Sequence, residues 1–126
     1  MENSTLVSEF RLKLYVKNFE MEKDFYENIL QYKLIKSWDR AKDDKGAMFD
    51  TGAAIIELLS TDQYKKVQGA DVSLRVKDVW KLYEQLKDKC KVIKPLRNRE
   101  WGDTDFKISD PEGFNITFFS QTKNGK

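Results

Sequence analysis

The sequence predicts one soluble α+β domain made of two similar halves, each a strand, a helix and a group of antiparallel strands. Three observations carry that reading. Apolar and polar residues alternate at the start of each half, the period of a strand with one buried face. Each alternating run then passes an Asn or Asp and gives way to apolar residues at helical spacing. The pattern also recurs sixty positions on. Leu14-Tyr-Val-Lys-Asn-Phe19 matches Leu74-Arg-Val-Lys-Asp-Val79, and Ile56-Glu-Leu-Leu-Ser60 matches Ile116-Thr-Phe-Phe-Ser120. Between these, Phe25-Tyr-Glu-Asn-Ile29 matches Leu82-Tyr-Glu-Gln-Leu86, with the second helix starting about one turn shorter. Such a repeat reads as two supersecondary units that each leave an apolar face to bury against the other.

In order, Phe10 to Val16 alternates and is read as a strand, with Leu12, Leu14 and Val16 on one face and Arg11, Lys13 and Tyr15 on the other. Asn18 is the candidate N-cap of a helix over Phe19 to Leu30, whose first turn carries Glu20 and Glu22. Tyr32 to Trp38 is a second strand, and the charged run Arg40 to Gly46 is a loop. Ala47 to Asp50 and Ala54 to Ser60 form a hairpin about Thr51-Gly52. Polar, aperiodic residues 61–69 make a linker between a first unit of about 9–60 and a second of about 70–121, within a domain spanning 8–121. The second unit opens on a strand from Asp71 with Val72, Leu74 and Val76 opposite Asp71, Ser73 and Arg75. Its last strand sets Ile116 and Phe118 against Asn115, Thr117 and Phe119, as Ile56 and Leu58 oppose Ile55, Glu57 and Leu59 in the first unit. Lys87 to Lys94 reads as a solvated helix end, and both tails, 1–8 and 122–126, as frayed.

Composition limits the function. The chain has 126 residues, enough to bury a core without staples, and 40% hydrophobic, 13% aromatic and 35% charged residues suit a globular protein. A net charge of +2, spread without a basic stripe, gives no reason to expect nucleic acid. Apolar runs such as Ala53-Ala54-Ile55-Ile56 are too short to span a membrane. The acidic, polar start Met-Glu-Asn-Ser-Thr is unlike a secretory signal, and a cytoplasmic protein is expected. There is no histidine and only one cysteine, Cys90, which excludes zinc fingers and Ser-His or Cys-His nucleophile systems. The helices are expected to cover the apolar faces of the opening strands. The opposite faces are too polar for a covered core and are expected to line water or a cavity.

Three segments together carry a resemblance: Leu-x-Val-Lys-Asn-Phe19 followed by Asp24-Phe25-Tyr26, Leu-x-Val-Lys-Asp-Val79 followed by Leu82 to Leu86, and Asp110-Pro-Glu-Gly113-Phe-Asn-Ile116. The chain resembles the vicinal oxygen chelate superfamily, which includes glyoxalases, extradiol dioxygenases and bleomycin resistance proteins, from about Phe10 to Ser120. The resemblance implies two βαβββ repeats forming curved mixed sheets around a ligand cavity, commonly completed in a homodimer. Metal-using members place His and Glu ligands at positions that here correspond to Arg11, Glu57, Asp71 and Thr117. Only Glu57 matches, Asp71 is an oxygen donor, and the Arg11 guanidinium carries a fixed positive charge that opposes a cation. Arg11 is expected to pair with Glu57 and Asp71. The segment from Arg99 through Trp101-Gly102 to Gly113 is similar to bleomycin-type resistance proteins, which sequester a drug without transforming it.

No catalytic residue, metal or cofactor is therefore expected. The expected ligand-binding set is Arg11, Lys13, Tyr15, Trp38, Glu57, Asp71, Arg75, Trp101, Thr117 and Phe119. Trp38, at a strand end, and Trp101, in a polar loop, are either aromatic plates flanking a planar ligand or packing and interface residues. Lys13 and Arg75 either attract an anionic group or reach solvent. Trp80 is read as core or interface and Cys90 as an inert small hydrophobe. Two functions stay open. One is an antibiotic-resistance-like protein that binds a small aromatic molecule as a homodimer. The other is a glyoxalase-like lyase or isomerase using Glu57 and Asp71, with or without a divalent cation.

Overall fold

The computed structural model describes residues 5–122, so the expected fraying of the extreme tails falls outside it. The chain divides between Lys65 and Lys66, inside the expected linker, into two compact units. The first contains β1 (Arg11–Val16), α1 (Phe19–Asp24), a π-helical segment (Phe25–Ile29), β2 (Lys33–Ala41), β3 (Asp44–Asp50) and β4 (Ile55–Ser60). The second contains β5 (Val72–Arg75), α2 (Val79–Leu86), β6 (Lys91–Asn98), β7 (Asp103–Ser109) and β8 (Asn115–Gln121). Each unit carries a four-stranded sheet, ordered β1-β4-β3-β2 and β5-β8-β7-β6. β1 pairs with β4, and β5 with β8, in parallel, while the other pairings are antiparallel. A parallel pair needs a crossover. Here the helix and the following hairpin supply it.

The two helices start alike because the repeat places the same kind of cap sixty residues apart. Asn18 Oδ1 accepts from the Met21 amide at 3.2 Å, and Asp78 Oδ1 from the Lys81 amide at 3.0 Å. The first helix covers the expected length but widens after Asp24. Leu30 N–H donates to Phe25 C=O at 2.9 Å, a π-type bond, and Gln31 then ends the helix in the left-handed region at φ 60°. The widened turn carries two buried aromatics in succession, Phe25 and Tyr26. The Tyr26 ring lies 6.1 Å from that of Phe49 on β3, over a face that also buries Leu14, Val16, Ile56 and Leu58. In the second unit Tyr83 of α2 meets Phe106 edge-on at 5.0 Å, and Phe106 lies 5.4 Å from Phe118. Each large apolar side chain buried in this way contributes about 1.5–3 kcal/mol.

Two boundaries differ from expectation. The charged run Arg40 to Gly46 is not a loop: β2 runs to Ala41 and β3 starts at Asp44, leaving only Lys42 and Asp43 to turn. A cross-strand ion pair joins this polar end of the hairpin, with Arg40 Nε 2.9 Å from Asp44, while Lys45, opposite Asp39, reaches Glu20 on α1 at 3.9 Å. Lys87 to Lys94 is not a helix end either. α2 stops at Leu86 and β6 begins at Lys91, because β-branched Val92 and Ile93 favour a strand and Pro95 pushes Lys94 out of the helical region. The β6–β7 ladder slips between Lys94 and Arg97, the stretch that contains Pro95, and β6 is an edge strand where a missing donor is tolerated. No helix among the described residues is long and apolar enough to cross a membrane.

Candidate functional site

Residues opposed on neighbouring strands project to the same side of a sheet, so the register defines what lies on each uncovered face. In the first unit one row across the strands reads Lys13, Glu57, Met48, Lys36. The next reads Tyr15, Leu59, Gly46, Trp38, and on the other side Arg11 opposes Ile55. Arg11, Lys13, Tyr15, Trp38 and Glu57 are thus brought to one face, opposite the buried Leu14, Ile56 and Leu58. Tyr15 is 53% exposed there.

Trp38 is not at a strand end but inside β2. Its indole lies across Gly46, and a Cβ built on that glycine would overlap the ring. Lys36 Nζ and the Arg40 guanidinium each stand 5.8 Å from the indole centroid, within cation–π range. The pairing expected of Arg11 is also different. Its Nε donates to Glu9 at 2.6 Å, and that hydrogen bond, with Glu57 adding a smaller Coulombic effect, raises its pKa above the usual arginine value.

On the second sheet, Ser73, Thr117, Lys107 and Lys94 form one row and Arg75, Phe119, Asp105 and Arg97 the next. Asp71 lies just before β5 and pairs with Lys107 at 3.8 Å. Asp71, Arg75, Thr117 and Phe119 therefore belong to one region, and Trp101 reaches it through its neighbour. The Arg99 guanidinium sits 4.3 Å from the indole centroid and 4.0 Å from the Asp105 carboxylate. Arg97 Nε hydrogen-bonds the same carboxylate at 3.1 Å. Trp101 itself is 61% exposed, at the tip of the β6–β7 hairpin.

Arg97, Arg99 and Asp105 were not singled out from the sequence. The available signal was period-2 spacing on both sides of Trp101-Gly102, which sets Arg97 on β6 with Arg99 just past its end, and Asp103 and Asp105 on β7. Beside Arg75, a cleft of about 520 Å³ is lined by Val76, Lys77, Trp80, Ser120 and Gln121. Trp80 is half-buried at its wall. Ser120 Oγ ties the strand end to the helix start, accepting from Val79 N–H at 3.0 Å and donating to Val76 C=O at 2.6 Å. Cys90 is half-buried, and burial pushes its thiol pKa up.

The sequence matches the Glyoxalase/Bleomycin resistance protein/Dioxygenase superfamily over residues 10–118. The chain belongs to that superfamily. As a member of the vicinal oxygen chelate group it shares its fold with many solved structures. TioX from Micromonospora sp. ML1 superposes with a TM-score of 0.76 at 19% identity, covering 92% of this chain and 100% of that one. A putative glyoxalase family protein from Bacillus anthracis gives 0.75 at 20% identity, covering 97% and 100%. The fosfomycin resistance protein FosX from Listeria monocytogenes gives 0.71 at 19% identity, covering 94% of each chain. No curated protein matches the sequence.

At the positions where metal-using members of this superfamily place ligands, the chain carries Arg11, Glu57, Asp71 and Thr117. Arg11 is cationic and held by Glu9, Glu57 stands opposite Lys13, and Asp71 is paired with Lys107. Thr117, with a neutral hydroxyl, stands between Ser73 and Lys107. Among the described residues no group of three or more His, Cys, Asp or Glu side chains is placed to hold a metal ion. These residues do not fit a first-row metal centre.

Proposed function

We propose that this chain binds a small aromatic molecule on the uncovered faces of its sheets, without a catalytic metal, as a sequestering protein of the bleomycin-resistance kind. Residues 8–121 act as one domain in this reading. The observation that carries it is the composition of the ligand positions: a guanidinium at Arg11, a hydroxyl at Thr117, and carboxylates at Glu57 and Asp71 that each neighbour a lysine. Exposed aromatic surface at Tyr15 and Trp101 on or beside the same faces supports an aromatic ligand. FosX is named a fosfomycin resistance protein. A role in tolerance of a toxic small molecule agrees with that likeness.

Thermal denaturation of tag-free protein with and without Mn²⁺, Ni²⁺, Zn²⁺ or Mg²⁺ tests the metal-free reading. The midpoint is expected to stay put with each ion, since a ligand raises stability only if it binds the native state. Elemental analysis should find no first-row metal near one per chain. Stoichiometric metal that is lost in Glu57→Gln would replace this reading with the glyoxalase-like enzyme.

The same reading includes a homodimer. β1, β2 and β5 are edge strands of the sheets, and pairing with a second chain is one way to cover such edges. Sedimentation at micromolar concentration is expected to give a dimer mass, and a monomer would overturn it.

A further inference from the structure

We infer that the uncovered face of the second sheet takes a small aromatic anion, a carboxylate or phosphate ester, with Arg75 and Arg97 holding the charged group over Phe119. This deepens the proposed function and rests on it. The charge arrangement is the ground. Arg75, Phe119, Asp105 and Arg97 form a single row across four strands. Arg97 and Arg99 share the one Asp105 carboxylate, at 3.1 and 4.0 Å, so most of their N–H donors are not used by it. Among the described residues Arg75 is in no ion pair, and Phe119 separates it from Asp105. Asp103 also projects to this face, yet three guanidiniums against two carboxylates leave a positive surplus.

The cleft beside Arg75 has the same character. It holds Lys77, the Trp80 indole and the Gln121 amide, and no carboxylate is among its lining residues. Its volume of about 520 Å³ suits a small ligand. A guanidinium binds carboxylate or phosphate through two parallel hydrogen bonds, while Phe119 and the Arg99-stacked Trp101 offer flat apolar surface to a ring. A neutral aromatic would leave the positive surplus unanswered, and a cation would meet it directly.

Titration calorimetry with 1-naphthyl phosphate, 1-naphthoate, 1-naphthol and inorganic phosphate tests the inference. At least one naphthyl anion is expected to bind ten-fold or more tighter than 1-naphthol and than inorganic phosphate. The comparison of phosphate and carboxylate identifies the preferred group. Arg75→Gln should weaken the anion at least ten-fold, with unchanged far-ultraviolet circular dichroism. Asp105→Asn, which keeps an acceptor for Arg97 but removes the negative charge, should strengthen it several-fold. Lys81→Gln, the same loss of one positive charge on the exposed side of α2, should leave it unchanged. Equal binding of 1-naphthol and the anions, indifferent to Arg75→Gln, overturns the inference while leaving the aromatic-binding reading standing. Absence of binding by every naphthyl compound overturns both.

Discussion

Asp110→Ala is expected to lower the stability of the protein by about 3 kcal/mol, read as a fall in the urea midpoint at unchanged slope. Asp110 is buried at the start of the Asp-Pro-Glu-Gly turn between β7 and β8. Its Oδ1 accepts the amides of Glu112 at 3.0 Å and Phe114 at 2.9 Å. Its main chain closes the turn as well, with its N–H donating to Phe114 C=O at 2.9 Å and its C=O accepting from Gly113 N–H at 3.0 Å. Removing the carboxylate takes this acceptor from the half-buried Glu112 amide and the buried Phe114 amide, and hydrogen bonds to a charged group are the strong ones. Asp110→Asn keeps an acceptor in place and should cost less than half as much. Equal losses in the two variants would show that the charge, and not the acceptor geometry, is what the turn requires.

Gly46→Ala is expected to cost about 2 kcal/mol, an unusual penalty for a strand glycine, because the added methyl overlaps the Trp38 indole and drives it off the sheet. In a Trp38→Ala background the same substitution should be nearly neutral. A double-mutant cycle of urea midpoints therefore returns a coupling close to the full Gly46→Ala effect. Additive losses would mean that the indole does not rest on the glycine in solution. Trp101 is exposed and stacks with Arg99, and among the described residues no glycine Cβ would meet its ring.

That contrast marks how far the sequence could be read. Its composition treats Trp38 and Trp101 alike, as indoles near polar residues. Only the β2–β3 register sets Trp38 against Gly46 and leaves Trp101 at a turn. The caps at Asn18 and Asp78 and the two faces of each strand were legible because each depends on neighbours within a few positions, and the repeat because the same local patterns return sixty positions on. The hairpin tip from Arg40 to Gly46 was not. Asp, Lys and Arg disfavour a strand individually, and the Arg40–Asp44 and Lys45–Glu20 pairs that offset this exist only once the hairpin has closed and packed beside α1. The lysines after α2 misled in the opposite sense, since their charge suits a helix end while Val92, Ile93 and Pro95 among them decide for a strand. At the site, the face carrying Arg11, Lys13, Tyr15 and Glu57 followed from period two, while the place of Trp38 on it follows only from the β2–β3 register. The preference of Arg11 for Glu9, and the sharing of Asp105 by two arginines, depend on side-chain reach and did not.

Pro95 has a further consequence for how the molecule behaves when concentrated. An outer strand normally offers a ladder of donors and acceptors to any extended chain it meets, the first step toward fibrils and amorphous precipitate. β6 offers a poor one. Its proline lacks a donor, the ladder is out of step on either side of Lys94, and Lys91, Lys94 and Arg97 place like charges along it, so two copies approaching edge to edge repel before they can pair. The strand that carries Arg97 is thus also a poor template for edge-to-edge pairing, and a substitution at Pro95 that restored regular pairing is expected to make association along this edge easier.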